Sequence, residues 1–206
     1  MHSLVTCSTD NCVALILAGG YGKRFGQDKR KVPMDHHRTL LGSTLESVQN
    51  TFKESYVVIR DGDHPSQLGL NESTKIIYST RSNKGLGASL STGIEFLLSS
   101  KFSAVAIFLG DMPWIDSTTQ ELLINTARHS RIILPTFKGQ SGHPVIFGRQ
   151  FWPELLSLND DKGAKSIVSR HHSNCVFIPV KDPGILRDVD VPDDLNIRDN
   201  HKNPLT

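Results

Sequence analysis

Cysteine is scarce in this chain, and its three copies, Cys7, Cys12 and Cys175, fall in no C-x-x-C spacing. An odd, dispersed set argues against both a disulfide framework and a structural zinc site. An excess of one charge is lacking too: 23 Lys plus Arg face 21 Asp plus Glu, a formal net charge of +2. That balance supplies no bulk attraction for nucleic acid or an anionic membrane, so basic residues matter only where they cluster. No apolar run approaches a membrane span, and the opening MHSLVTCSTDN has no secretory hydrophobic core. The expectation is a cytoplasmic protein that partners neither nucleic acid nor membrane. Internal repeats and low-complexity segments are also missing, and 206 residues suit one medium-sized domain.

Two common nucleotide loops are absent as well. The dinucleotide fingerprint G-x-G-x-x-G, begun at Gly20, needs a glycine where Phe25 stands. The P-loop pattern G-x-x-x-x-G-K-[ST] has no match beginning at Gly19, Gly20 or Gly22.

What is present is an alternation of short β-branched runs with longer stretches of helical period, the pattern of an α/β protein with a mainly parallel sheet. Strands are expected at VALIL (Val13 to Leu17), YVVI (Tyr56 to Ile59), KIIYS, AVAIFL (Ala104 to Leu109) and CVFIPV. RIILPTF and HPVIFG read as a pair of strands around a turn, Lys138 to Gly142. Helices are expected over Thr39 to Phe52, from Leu86 or Gly87 to Leu98, and over Ser117 to His129. Two shorter ones fall near Arg149 to Leu158 and Gly163 to His171. The folded domain then runs over 13–197, with polar tails at 1–12 and 198–206.

Chemistry concentrates at the ends of the strands, where ligands of open parallel sheets collect. VALILAGGYGKRFGQDK places Gly19, Gly20 and Gly22 directly after the first strand. Glycine allows backbone N–H groups to approach an anion closely. Lys23, Arg24, Lys29 and Arg30 follow within reach of several phosphate oxygens. The alternative is a glycine-rich turn with solvated basic residues. Asp111, after AVAIFL, reads equally as a turn residue before Pro113 or as a metal ligand at a strand's edge. In RDVDVPDDL, Asp190 best fits a second ligand, whereas Asp188, Asp193 and Asp194 read as a solvated acidic turn. Mg²⁺ typically takes one or two protein carboxylates and completes its shell with phosphate oxygens and water. NKGLGAS puts Asn83, Gly85, Gly87 and Ser89 at a helix start, either an ordinary capped helix or a place to meet an anion or a heterocycle edge. GHPV carries Gly142, His143 and Pro144, with His143 either a structural histidine or an acceptor contact. His36-His37 and His171-His172 are read as surface or loop pairs, and Trp114 and Trp152 as packing or rim residues.

These motifs together resemble one family. LAGGYGKRFGQDK is similar to the LAxGxSxRFGxDK signature of the MobA-like nucleotidyltransferases, with Gly22 where serine is common. LGDMPWI resembles that family's LADMPxI motif, and DVDVPDDL its DIDTPEDL motif, with Val191 at the usual threonine. The resemblance spans about Val13 to Ile197 and implies a three-layer Rossmann-like α/β fold with the site over the sheet's carboxyl edge. It implies that Leu17, Ala18, Gly19 and Gly20 border the base and ribose of a nucleoside triphosphate. Gly22, Arg24 and Lys29 would hold the triphosphate, Arg24 and Lys29 stabilising the departing pyrophosphate. Asp111 and Asp190 would bind Mg²⁺, or Mn²⁺ in its place, while Asn83, Gly85, Gly87 and Ser89 lie against the base. Gly142, His143 and Pro144 would receive the acceptor, molybdopterin or its molybdenum-loaded form. A molybdoenzyme or its chaperone is the implied protein partner.

The donor base is contested within the sequence. LAGG at Leu17 to Gly20 is the form of GTP-using relatives, whereas GLGAS at Gly85 to Ser89 is nearer the CTP-using form. GHPVIFGRQFWPELLSLNDDKGAKSIVSRH is very like the cytidylyltransferase branch, so CTP is expected. GTP as donor or a sugar phosphate as acceptor are the nearest rivals. An NAD(P)H-dependent reductase of the same family and a non-catalytic cofactor-holding chaperone are the rivals of another class.

Overall fold

The computed structural model describes residues 11–20, 25–160 and 163–196. Among these residues eight strands form a single mixed sheet: β1 Cys12–Leu17, β2 Ser55–Arg60, β3 Ile76–Ser79, β4 Ala104–Leu109, β5 Ile132–Phe137, β6 Gln140–Ser141, β7 Val145–Gly148 and β8 Cys175–Pro179. Their order is β3-β2-β1-β4-β7-β5-β6, with β8 pairing β5. The pairs β3–β2, β2–β1, β1–β4 and β5–β8 are parallel, and β7 runs antiparallel between β4 and β5. The chain winds outward from β1 to β2 and β3, then returns to place β4 on the other flank of β1. The gap between β1 and β4 is therefore the switch point where a crevice opens at the carboxyl edge.

Period-two alternation in the central strands feeds two cores at once. Cys12, Ala14 and Ile16 of β1, with Ala104, Ala106 and Phe108 of β4, face one side; there they meet Leu41, Leu45 and Val48 of α1 (Leu40–Gln49) and Leu123 and Ile124 of α3 (Ser117–Thr126). Val13, Leu15 and Leu17, with Val105 and Ile107, face the other. Their partners are Leu90, Ile94 and Leu97 of α2 (Leu86–Leu97), Trp152 and Leu155 of α4 (Trp152–Leu156) and Ile167 of α5 (Lys165–Arg170). The three-layer arrangement follows: helices on both faces of strands that are apolar throughout. Trp152 is core, whereas Trp114 is half-buried beneath the Arg187 guanidinium, 3.7 Å from its ring.

The expected elements form with adjusted bounds; the helix expected over Thr39 to Phe52 is Leu40–Gln49. The helix from Ser117 stops at Thr126 rather than His129, because Ala127 turns to an extended ψ of 138°. That turn lays the Arg128 and His129 carbonyls against Gly148, where a Cβ would meet the His129 oxygen at 2.2 Å. The short helices shrink to α4, entered through a 3-10 turn at Arg149–Phe151, and to α5. The turn expected over Lys138 to Gly142 tightens to Lys138 and Gly139, both at positive φ, the backbone of a two-residue hairpin. Beyond it the returning chain carries two extra residues: Thr136 faces Ser141, but Ile133 faces Ile146. His143 and Pro144 take up that excess at the carboxyl edge, which lifts His143 towards the crevice.

Helix α2 lies close on β1 and β2 through Gly93. A Cβ there would come within 2.6 Å of Leu15 Cδ2 and 3.1 Å of Val58 Cγ2, both in full burial. Gly93→Val is expected to cost about 1–3 kcal/mol by overpacking, although valine is the better helix former. A urea unfolding midpoint equal to that of the parent would refute this close contact.

Candidate active site

The site is built where β1 and β4 end. After β4, Gly110 donates its N–H to the Leu17 carbonyl at 3.0 Å, which keeps the two strand ends in register as they leave the sheet. Asp111 follows, and its carbonyl accepts from the Val189 N–H at 3.2 Å. That single backbone bond brings the 188–190 segment alongside the β4 end and sets Asp190 beside Asp111. Asp194 then fixes the turn, its Oδ2 accepting from the N–H groups of Asp190 at 2.8 Å and Val191 at 2.9 Å. These bonds hold the Asp194 carboxyl below its ordinary range. Asp194 is thus a turn-forming residue rather than a merely solvated one.

Lys29 enters from a 3-10 turn, Lys29–Lys31, and lies between the carboxylates. Its Nζ is 2.6 Å from Asp111 Oδ2 and 3.3 Å from Asp190 Oδ1, and donates to the Val189 carbonyl at 2.8 Å. Burial opposes the ammonium charge, but Asp111 and Asp190 more than offset it and raise the Lys29 pKa. Asp188 stands on the rim of the same group. Partial burial, and then the Asp111 and Asp190 carboxylates, push its pKa up. Among the described residues the Lys29 ammonium thus joins the Asp111 and Asp190 carboxylates, with Asp188 exposed beside them.

Arg30, expected among the phosphate-neutralising residues, is not available for that role. It is 5% exposed and forks onto two carboxylates: Asp28 through Nε at 2.8 Å and Nη2 at 2.7 Å, and Asp63 through Nη1 at 2.5 Å and Nη2 at 2.9 Å. Nη1 also donates to the Ala18 carbonyl at 2.8 Å. A guanidinium so fully paired is a buried tie and not a free cation. Arg60, which the sequence does not single out, holds the glycine loop from the β2 end, donating to the Gly19 carbonyl at 3.3 Å and to that of Gly20. Its place as the last residue of an apolar strand was the available signal. Gly22, Lys23 and Arg24 lie outside the described residues, as do Asp161 and Lys162.

The glycine loop and the start of α2 meet directly. A Cβ on Gly19 would lie 2.7 Å from Ser89 Oγ and 3.2 Å from Ser82 Cβ, whereas one on Gly20 meets nothing within 4 Å. Gly85 has φ 114°, a conformation that favours glycine. Gly87 is committed elsewhere: its N–H donates to the Asp160 carbonyl at 2.8 Å, and a Cβ would meet that oxygen at 2.7 Å. Asn83 is exposed on the 3-10 turn before α2. Leu17 and Ala18 are buried beneath the loop.

On the other flank lies a cavity of about 370 Å³. Leu86, Leu90, Leu109, Phe147 and Phe177 give it apolar walls, and Gly142, His143 and Lys165 add backbone and polar groups. His143 donates its backbone N–H to the Ile185 carbonyl at 2.8 Å, and its Nδ1 lies 3.4 Å from the Ile107 carbonyl. Burial lowers the His143 pKa below the ordinary 6.5; the Ile107 carbonyl and the nearby Asp111 and Asp188 oppose that, and Lys165 reinforces it. The imidazole is accordingly neutral near pH 7. A Cβ at Gly142 would strike the Ile185 carbonyl at 2.2 Å, so this glycine is required for the approach of the 183–186 turn. The histidine pairs do not converge: His36 and His37 are exposed, and His171 pairs with Glu154 at 2.6 Å.

Two carboxylates beside a glycine loop suit a divalent ion that completes its shell with ligands from outside the protein. Asp111 Oδ1 supports that fit, being buried without a hydrogen-bond partner while Oδ2 is held by Lys29. Among the described residues no group of three or more His, Cys, Asp or Glu is arranged to hold an ion alone. A nucleotide-borne metal needs no such group.

Two measurements check this geometry. Gly19→Ala should lower the unfolding midpoint, and less so in a Ser89→Gly background, with a coupling of about 0.5–3 kcal/mol; additive effects would separate the two loops. For His143, the folded pKa lies below the unfolded one, so the unfolded chain takes up the proton first as pH falls through 6.5. Stability should therefore decline from pH 7.5 to 5.5 more in the parent than in His143→Gln, and equal slopes would rule out this neutral, half-buried imidazole.

Comparison with known proteins bears on the fold and the family. The chain is 24% identical over 196 residues to the purine catabolism protein PucB of Bacillus subtilis strain 168, covering 90% of this chain and 94% of that one. It is 28% identical over 138 residues to a probable molybdenum cofactor guanylyltransferase of Natranaerobius thermophilus, covering 64% and 63%. The fold is shared with Rv0371C of Mycobacterium tuberculosis H37Rv, solved as a manganese complex, at TM-score 0.71 and 22% identity, over 90% of this chain and 96% of that one. The model of the MobA-like NTP transferase domain matches residues 14–175, and with that match the chain belongs to the MobA-like family of nucleotidyltransferases.

Proposed function

We propose that this nucleotidyltransferase joins the nucleoside monophosphate of CTP to the terminal phosphate of molybdopterin, or of its molybdenum-loaded form, and releases pyrophosphate. The observation that carries the reading is the Lys29–Asp111–Asp190 cluster at the end of β4, beside the glycine loop that ends β1. Phosphoryl transfer asks mainly for positioning and charge neutralisation, which this set supplies. An acceptor phosphate is already anionic near neutral pH, so no general base is needed, in keeping with a neutral His143. Its oxygen attacks the α-phosphorus, the bond to the bridging oxygen of the β-phosphate breaks, and that oxygen leaves with the electron pair as pyrophosphate. Leu17 to Gly20 border base and ribose, and Ser89 backs Gly19 from beneath. Gly22 and Arg24 would add backbone and guanidinium contacts to the triphosphate. Asp111 and Asp190 would hold Mg²⁺ or Mn²⁺, which neutralises phosphate charge when bound. A manganese complex of a protein of the same fold is consistent with such an ion.

The acceptor reading draws on the cavity beside His143. Its walls are largely aliphatic and aromatic, a surface suited to a flat heterocycle and poor in the hydrogen-bond partners that a sugar demands. CTP is favoured by the GHPV segment and by GLGAS. The glycine of LAGG loses weight as a guanine mark, because Gly19 also packs against Ser82 and Ser89. GTP remains the second reading, supported by the relatives named as guanylyltransferases.

Pyrophosphate release is expected to require Mg²⁺ or Mn²⁺, a nucleoside triphosphate and molybdopterin together, with CTP outcompeting GTP. Asp111→Asn should reduce turnover on the order of 10²-fold or more. Reduction of a substrate by NAD(P)H without metal would overturn the transferase reading, and preference for GTP would overturn the choice of base.

A further inference from the structure

The position of Lys29 has a consequence for how the metal enters. An ammonium has three donors, and all three of Lys29 are engaged: by Asp111, Asp190 and the Val189 carbonyl. In this arrangement Lys29 has no donor left for a phosphate. Its charge also lies between the two carboxylates that would ligate a divalent ion, and it is only 16% exposed. A cation and an ammonium cannot both occupy the short gap between Asp111 Oδ2 and Asp190 Oδ1 without strong repulsion.

We infer that Lys29 is an exchangeable counter-ion of the Asp111–Asp190 pair, which a divalent metal must displace. The inference rests on the metal-site reading above. The exchange is unfavourable for a free ion, because the ammonium would give up two charge-assisted hydrogen bonds and gain only water. It becomes favourable when the ion arrives chelated by a triphosphate, since the phosphate oxygens then supply the displaced ammonium with new anionic partners. One side chain thus couples metal binding to nucleotide binding. The ligand the protein selects is the metal–nucleotide chelate, and free metal binds weakly.

The test is binding of Mn²⁺ alone, followed by electron paramagnetic resonance on the purified full chain. Lys29→Met, which keeps the length and removes the charge, should bind Mn²⁺ about tenfold more tightly than the parent, a factor equal to about 1.4 kcal/mol. Lys29→Arg should remain near the parent. With CTP present the order should reverse, the parent gaining affinity and Lys29→Met gaining less. Thermal melting in chelator checks that both variants are folded. Unchanged or weaker Mn²⁺ binding by a folded Lys29→Met would overturn the inference while leaving the metal site standing. Failure of all three proteins to bind Mn²⁺, with or without CTP, would overturn both.

Discussion

The site depends on one buried guanidinium. Arg30 ties its own turn, through Asp28, to two other segments: the loop after β2 through Asp63, and the end of β1 through the Ala18 carbonyl. Each carboxylate alone would be expensive at that depth, and so would the arginine; fork-to-fork geometry makes the set tolerable. Removal of Arg30 takes the guanidinium from both Asp28 and Asp63, whereas removal of either aspartate leaves Arg30 paired with the other. Because Lys29 is the next residue along, the anchoring of Arg30 decides where the Lys29 ammonium can reach. Asp63 also accepts from the Arg60 N–H, and the Arg60 side chain holds the glycine-loop carbonyls. The fastening therefore extends to both sides of the loop.

Against this fixed frame the carboxylate cluster is held with little spare structure. One backbone bond, Val189 to Asp111, unites chain segments nearly eighty residues apart, and Asp194 closes the turn that presents Asp190. Partial desolvation, and after it the neighbouring Asp111 carboxylate, raises the pKa of Asp188. Lys29 pairs with Asp111 Oδ2, while the buried Asp111 Oδ1 has no hydrogen-bond partner. Electrostatics of this kind suits a reaction in which charge on phosphate must be gathered and then released.

Several glycines act here as contact points rather than as phosphate cradles. Gly19 admits Ser82 and Ser89, Gly87 admits the Asp160 carbonyl, and Gly142 admits the Ile185 carbonyl. In each case a side chain would be driven into another segment of the site. Motifs that look like ligand-reading letters thus also encode the packing of loop upon loop. This is why the LAGG and GLGAS motifs, which disagree about the base when compared with relatives, are compatible in one molecule.

Much of the fold was legible in the sequence. Uninterrupted apolar runs marked strands buried on both faces, and a glycine or aspartate at the end of such a run marked the carboxyl edge. AVAIFL forms the strand Ala104–Leu109, with Asp111 just beyond it. Those signals are local, because side-chain periodicity and turn chemistry operate over a few residues. The identity of each charge's partner is not local. Arg30 looked like a phosphate ligand until the β2 loop supplied Asp63, whereas Asp188, read as solvated, is indeed exposed. Lys29 looked free until a segment 160 residues away closed over it. The sequence by itself determined the strands, the glycine loop and the paired aspartates. The tertiary structure decided which cations are spent and which remain, since charges are paired by the crossovers of the chain and not by their order along it.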